Sequence, residues 1–363
     1  MSGRIPVTIL TGYLGAGKTT LLNRILSAAD GRRYAVIVNE FGEIGIDGDL
    51  VVGADEEIFE MNNGCVCCTV RGDLIRILQG LMKRQGSATR GFDAIVVETT
   101  GLADPAPVAQ TFFVDEEVKA RTALDSVTTV VDAMHVLQTL DESREAREQI
   151  AFADQIILNK TDLADEAALK AIEARIRRLN PLARIHRAVR SNVPLDAVLG
   201  KGAFDLGRIT ALDPEFLNPA HGQAGHVHDE ACEAEGHDHD HDHGHDHHDH
   251  GHEHHDHGPG GHAHEDDIRG VSLRLDRPLD ANKISRWLSD LLAAKGGDIL
   301  RAKGIVAVKG DERRLVFQAV HMMLEGDFQR PWRPDEKRES RLVFIGRDLD
   351  EPALRSGFEA CAA

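Results

Sequence analysis

The sequence predicts an α/β fold: a doubly wound, mostly parallel sheet, then a small C-terminal α+β unit beyond a histidine-rich disordered linker. Three observations carry that reading. Short apolar runs alternate with helix-like stretches over the first 210 residues. Residues 211–267 have no hydrophobic periodicity and hold most of the histidines. Strand and helix patterning then resumes at residue 268. The expected divisions are 1–210, 211–267 and 268–363 of a 363-residue chain, a length that suits two folded domains of roughly 100–200 residues each.

In the first division Val7–Leu10, Ala35–Val38, Ala94–Val97, Val127–Val131 and Gln155–Leu158 read as buried strands. Unbroken apolar runs of this kind suit parallel strands covered by helices on both faces. Helical stretches at Lys18–Ala29, Thr69–Gln85 and Asp165–Asn180 lie between them, and the alternation implies right-handed crossovers. In the last division Val271–Leu275 alternates as a strand, and Asp280 can cap a helix that ends near Ala294. Ile305–Val308, Leu315–Val320 and Leu342–Ile345 read as further strands before a final helix near Glu351–Ala360. One sheet with helices on one face is expected there.

The middle division differs in kind. Between His221 and His264 lie 17 of the 20 histidines, interleaved with Asp, Glu and Gly. Such a segment cannot bury enough apolar surface to offset the entropy of ordering, so it is expected to be a mobile linker. Its neutral imidazoles offer many exchangeable sites for Zn²⁺, Ni²⁺, Co²⁺ or Cu²⁺. Fourteen of the 60 acidic residues and none of the 42 basic ones fall between Ala220 and Asp267. The formal charge of −18 is therefore largely local, and the rest of the chain is nearly balanced. No basic patch argues for a nucleic-acid partner. No run approaches the ~20 apolar residues of a membrane span. The N-terminal residues lack a signal-peptide core, and five cysteines without an even framework suit a reducing compartment, so a cytoplasmic location is expected.

Three motifs carry chemistry. Gly12 to Thr19 reads GxxxxGK[ST] between a strand and a helix, the context a phosphate-binding loop requires. Backbone N–H groups from Gly12 through Gly15, Ala16 and Gly17 into Thr19 and Thr20 are expected to cradle phosphates at a helix N-terminus. Lys18 is expected to reach the β- and γ-phosphates, and Thr19 to ligate Mg²⁺. Glu98 ends a strand and precedes Thr99-Thr100-Gly101, where an acid near Mg²⁺ and a γ-phosphate-contacting glycine, Gly101, are expected. Lys18, Thr19 and Glu98 are the candidate catalytic residues. No residue stands out to orient the attacking water, although Glu43 or Asp47 could. Asn159-Lys160-Thr161-Asp162 follows a further strand. The Asp162 carboxylate can accept the N1 and N2 hydrogens of guanine, Lys160 can lie over the ring, and Asn159 can brace neighbouring loops. GTP with Mg²⁺ is the expected nucleotide pair.

Cys65, Cys67 and Cys68 crowd three of the five thiols into one short run. Such close neighbours are poorly placed to pair with each other. They form a natural donor set for a borderline metal such as Zn²⁺. The residues alone leave a structural or redox-active loop open as the alternative.

The order of motifs resembles the CobW-type GTPases, a P-loop family within the class that contains HypB and UreG. It runs P-loop, Cys-x-Cys-Cys, Glu-Thr-Thr-Gly, Asn-Lys-x-Asp, histidine-rich stretch and small C-terminal unit. Asn39-Glu40-Phe41-Gly42-Glu43, Asn63-Gly64-Cys65, Ala103-Asp104-Pro105, Arg330-Pro331-Trp332 and Val343-Phe344-Ile345-Gly346 are similar to the YjiA-like subgroup. The resemblance implies a GTP-hydrolysing metallochaperone that passes zinc to a client apo-metalloprotein, with Co²⁺ or Ni²⁺ as other cargoes. It implies that Glu43 is a metal ligand beside Cys67 and Cys68, with Cys65 nearby. A cobalt chaperone for cobalamin synthesis, or a metal-storage or sensing protein that uses GTP as a switch, stands as the alternative. A homodimer is also possible on this reading.

Overall fold

The computed structural model describes residues 4–27, 32–40, 57–62, 67–87, 92–204, 268–334 and 336–363, with the side chains of 39–40, 57–62, 67–71 and 84–87 outside the description. The histidine-rich division predicted as a linker lies outside the described residues.

The N-terminal unit is built on seven parallel strands: β1 (Ile5–Thr11), β2 (Tyr34–Glu40), β3 (Glu57–Asn62), β4 (Ala94–Glu98), β5 (Thr122–Asp132), β6 (Gln155–Asn159) and β7 (Arg184–Arg187). Their order across the sheet is β3-β2-β4-β1-β5-β6-β7, and every pairing is parallel. The five predicted strands all fall inside observed ones, and the sheet is wholly rather than mostly parallel. Helices α1 (Lys18–Ser27), α2 (Cys67–Ser87), α3 (Ala106–Val114), α4 (Glu116–Arg121), α5 (Val136–Glu142), α6 (Arg144–Phe152) and α7 (Glu166–Leu179) complete the unit.

Alternation along a strand sends neighbours to opposite faces. In β2, Val36 and Val38 join the core under α1, whereas Ala35 and Ile37 join the core on the other face. Fully burying each such aliphatic side chain contributes about 1.5–3 kcal/mol, which is why these strands read as continuous apolar runs. Helix α7 starts where predicted because the Asp165 carboxylate caps Ala168 N at 2.8 Å. It ends at Asn180, whose side chain donates to Ile150 O and Ala153 O, both at 2.8 Å.

The C-terminal unit is an antiparallel sheet of β8 (Ile268–Leu275), β9 (Ile299–Ala307), β10 (Arg313–Val320), β11 (Met323–Pro331) and β12 (Ser340–Arg347), with helices α8 (Ala281–Lys295) and α9 (Glu351–Glu359). Strand order is β11-β10-β9-β12-β8. Asp280 caps α8 as expected, accepting from Asn282 N and Lys283 N. Leu342 and Phe344 of β12 face α8 and α9, while Val343 and Ile345 face the other way. That second face packs against the N-terminal unit, in one core with Phe152, Ile156, Leu300 and Ile305. The expected single layer of helices is thus only half of what covers this sheet.

Candidate functional site

Parallel pairing brings the carboxyl ends of β1, β4, β5 and β6 to one edge. Strand β1 lies between β4 and β5, and a doubly wound sheet opens a crevice beyond the strand ends at such a point. The loop from Gly12 leads from β1 into α1 there. No acidic residue occupies the first turn of α1, so its positive end faces an anion without competition. Gly17 has φ +111°, and a Cβ on it would sit 2.5 Å from Asn159 Nδ2. Only glycine fits.

Lys18 opens α1, and its ammonium donates to Gly12 O at 2.8 Å and Tyr13 O at 3.3 Å. Its charge is thereby held over the loop that would wrap phosphates. Thr19 Oγ1 donates to Glu98 Oε1 at 3.4 Å, which joins the start of α1 to the buried end of β4. The Thr100 hydroxyl is buried and has no hydrogen-bond partner among the described residues. Hard oxygen donors of this kind fit Mg²⁺, which prefers one or two protein oxygens alongside substrate phosphates and water. Bound there, Mg²⁺ would neutralise phosphate charge.

The Asn159–Asp162 motif is braced by side chains from three loops. Asn159 is buried; it donates to Ala16 O at 2.9 Å and accepts from Ser191 N at 2.7 Å. Ser191 Oγ donates to Gly17 O at 3.0 Å. Lys160 has a left-handed backbone, φ 62°, and its ammonium contacts Asp132 Oδ2 at 2.6 Å. Burial pushes the Asp132 carboxyl up, but hydrogen bonds from Lys160, His135 and the Met134 backbone outweigh it and hold the group below the usual carboxylate range. Asp162 lies in the short 3-10 turn Thr161–Leu163, exposed to solvent. Arg190 and Ser191 also have positive φ, 48° and 54°. Non-glycine residues held this way store strain, and strain clusters at binding sites.

Gly101 follows Glu98 and Thr99, and a Cβ on it would meet the Leu14 backbone N at 2.8 Å. The loop after β4 therefore touches the loop after β1 directly. Two residues on this edge escaped sequence reasoning. Asp132 positions Lys160, and Gln149 of α6 donates from Nε2 to Gly101 O and Ala103 O, both at 3.1 Å. Neither sits in a recognisable motif. The only signal for Asp132 was an acid at the end of an apolar strand.

The predicted cargo ligands are less fully described. Cys67 and Cys68 are the first two residues of α2, with side chains outside the description; Glu43 and Cys65 lie outside the described residues altogether. Among the described residues no group of three or more His, Cys, Asp or Glu could hold a metal ion, and no helix is long and apolar enough to cross a membrane.

Fold and site together define a P-loop GTPase. Residues 6–187 match the family model described as CobW/HypB/UreG, nucleotide-binding domain, and residues 268–362 match that of the cobalamin synthesis protein cobW C-terminal domain. The chain belongs to the CobW family. It is 34% identical over 355 residues to the zinc chaperone YjiA of Escherichia coli (strain K12), covering 98% of each chain. It is 36% identical over 393 residues to the zinc chaperone CobW of Pseudomonas aeruginosa, covering 99% of this chain and 92% of that one. The crystal structure of Zn(II)-bound YjiA GTPase from E. coli superposes with a TM-score of 0.70 at 29% identity, over 99% of both chains.

Proposed function

We propose that this protein is a GTP-dependent zinc carrier in the cytoplasm, loading Zn²⁺ at Glu43, Cys67 and Cys68, with Cys65 nearby, and passing it to a client apo-metalloprotein. One observation carries the link between nucleotide and metal. Strands β2 and β3 pair in parallel to their ends, with Glu40 opposite Asn62. The glycine-rich segment containing Glu43 begins just after Glu40, and the thiol run begins just after Asn62. Both segments therefore start from adjacent strands on the edge that bears the P-loop. Lys18, the Gly12–Thr20 backbone and Gly101 hold the phosphates, Thr19 and Glu98 hold Mg²⁺, and Asn159, Lys160 and Asp162 read guanine. GTP holds one ligand geometry, and hydrolysis loosens it so that the ion leaves. The zinc-chaperone relatives support this choice of cargo; Co²⁺ or Ni²⁺ would be the finding if either bound the thiol run more tightly. The histidine-rich division, 211–267, collects metal without specifying its destination.

Turnover tests the proposal. Zn²⁺ should change the GTP hydrolysis rate of the wild type and have no effect on a Cys67→Ala, Cys68→Ala variant. An identical Zn²⁺ response in both proteins would remove the thiol run from the mechanism.

A further inference from the structure

Helix α6 lies between the loop after β4 and the C-terminal sheet, and its Gln149 side chain is the buried group that holds that loop. Gln149 is 1% exposed. Both of its carboxamide N–H bonds go to a single loop, at Gly101 O and Ala103 O. Between those two carbonyls Leu102 projects into solvent. The backbone carbonyl of Gln149 accepts from Thr129 Oγ1 of β5 at 2.8 Å, so α6 is anchored to the sheet where the clamp begins. Gly101 in turn abuts the Leu14 backbone. A shift of the Gln149 carboxamide therefore moves Gly101 against the P-loop.

The other side of α6 is held by the C-terminal unit. Glu148 accepts from Arg347, and Phe152 O accepts from Arg301. Asp154, just past the helix, accepts from Arg301 and Lys303. Asp104, on the clamped loop, caps Ala106 N at 2.8 Å and faces Glu148, His321 and Arg347 electrostatically. Helix α6 is thus gripped by the loop at one surface and by β9 and β12 at the other.

We propose that Gln149 is a positioning residue for GTP hydrolysis, setting the Gly101–Ala103 loop against the P-loop and tying it through α6 to the C-terminal sheet. The inference rests on the nucleotide reading above, in which Gly101 contacts the γ-phosphate. A glutamine that merely fills the core would affect GDP and GTP complexes alike. A positioning residue affects only the state that contains the third phosphate. Seating of the C-terminal sheet, including any partner bound to it, then becomes an input to GTP affinity, and by reciprocity GTP binding becomes an input to that sheet.

The test uses the full chain with Gln149→Met, of similar length but without donors, and Gln149→Glu, of the same shape but with a carboxylate facing two carbonyls. Titration calorimetry with GDP and with a non-hydrolysable GTP analogue is combined with single-turnover hydrolysis. GDP affinity should be unchanged, while analogue affinity and turnover should each fall about tenfold, the scale of one or two lost hydrogen bonds. Equal weakening of both nucleotides, or no change in either with wild-type turnover, would overturn the inference. Should the Gln149 variants not fold, Arg347→Gln cuts the Glu148 contact from the far side. Selective loss of the analogue supports the link there too, and unchanged selectivity defeats it. Lys18→Ala separates the two levels. If it binds GTP like the wild type, the site reading fails and this inference with it. If it loses GTP while Gln149→Met is silent, this inference fails alone.

Discussion

Asp154→Asn should be among the most damaging single changes outside the nucleotide site. The Asp154 side chain is 4% exposed and lies between Arg301 at 2% and Lys303 at 6%. Its Oδ1 accepts from both cations, and its Oδ2 accepts from Val127 N at 2.9 Å. The amide would leave two buried cations without a neutralising charge. Breaking a buried pair from one side costs about 3–5 kcal/mol, a large part of the 5–15 kcal/mol of an ordinary domain, on the order of a third. One core spans both sheets, so urea denaturation of the full chain should show a single transition moved down by that amount. A loss below about 1 kcal/mol, the size of an exposed pair, would refute the reasoning. Lys303→Met should cost much less. Burial and the adjacent Arg301 push the Lys303 ammonium down to about 8, from 10.5. Between those values the unfolded chain keeps a proton that the folded chain has released, so Lys303 makes stability rise with pH across that window. Lys303→Met should flatten this rise.

Other outcomes follow from the site. Asp162→Asn should weaken GTP by about 1.5–3 kcal/mol, the value of hydrogen bonds to a charged group, with binding measured by titration; unchanged affinity would sink the guanine assignment. Gly17→Ala should abolish nucleotide binding, because its Cβ would overlap Asn159 at a φ of +111°. Glu98→Gln should raise the Mg²⁺ concentration needed for hydrolysis while leaving metal-free GDP binding intact. Deleting His221–His264 should lower zinc stoichiometry and preserve the tightest site; loss of that site with the deletion would mean the functional metal had been misplaced.

Much of the nucleotide edge was legible because its residues are contiguous. Gly12 to Thr19, Glu98 to Gly101 and Asn159 to Asp162 each carry type and spacing together, and the strands before them are apolar without interruption. Elements that break this rule were missed. Strand β3, Glu-Ile-Phe-Glu-Met-Asn, interrupts its apolar residues with two acids at the sheet edge. Strand β11 is half-exposed, contains Gly326 and ends in Pro331, features an edge tolerates and a central strand does not. Helix α3 begins at a proline pair, Pro105 and Pro107, and reads as a loop until its buried Val108, Ala109 and Phe112 are seen. Arg301 and Lys303 sit at alternate positions of β9, which in sequence marks a solvent face. They are buried because Asp154 meets them from the other unit. Gln149 likewise looks like an ordinary helix-surface polar residue. What these share is tertiary: each depends on a partner far away in the chain.

Coupling between nucleotide state and metal at Cys67 and Cys68 is the step on which the proposed carrier cycle depends. Zinc affinity measured with a GTP analogue and with GDP, on the wild type and on the Cys67→Ala, Cys68→Ala variant, tests it most directly. Zinc should bind more tightly in the GTP-analogue state of the wild type, with no nucleotide dependence in the variant. Equal zinc affinity of the wild type in the two nucleotide states would contradict it.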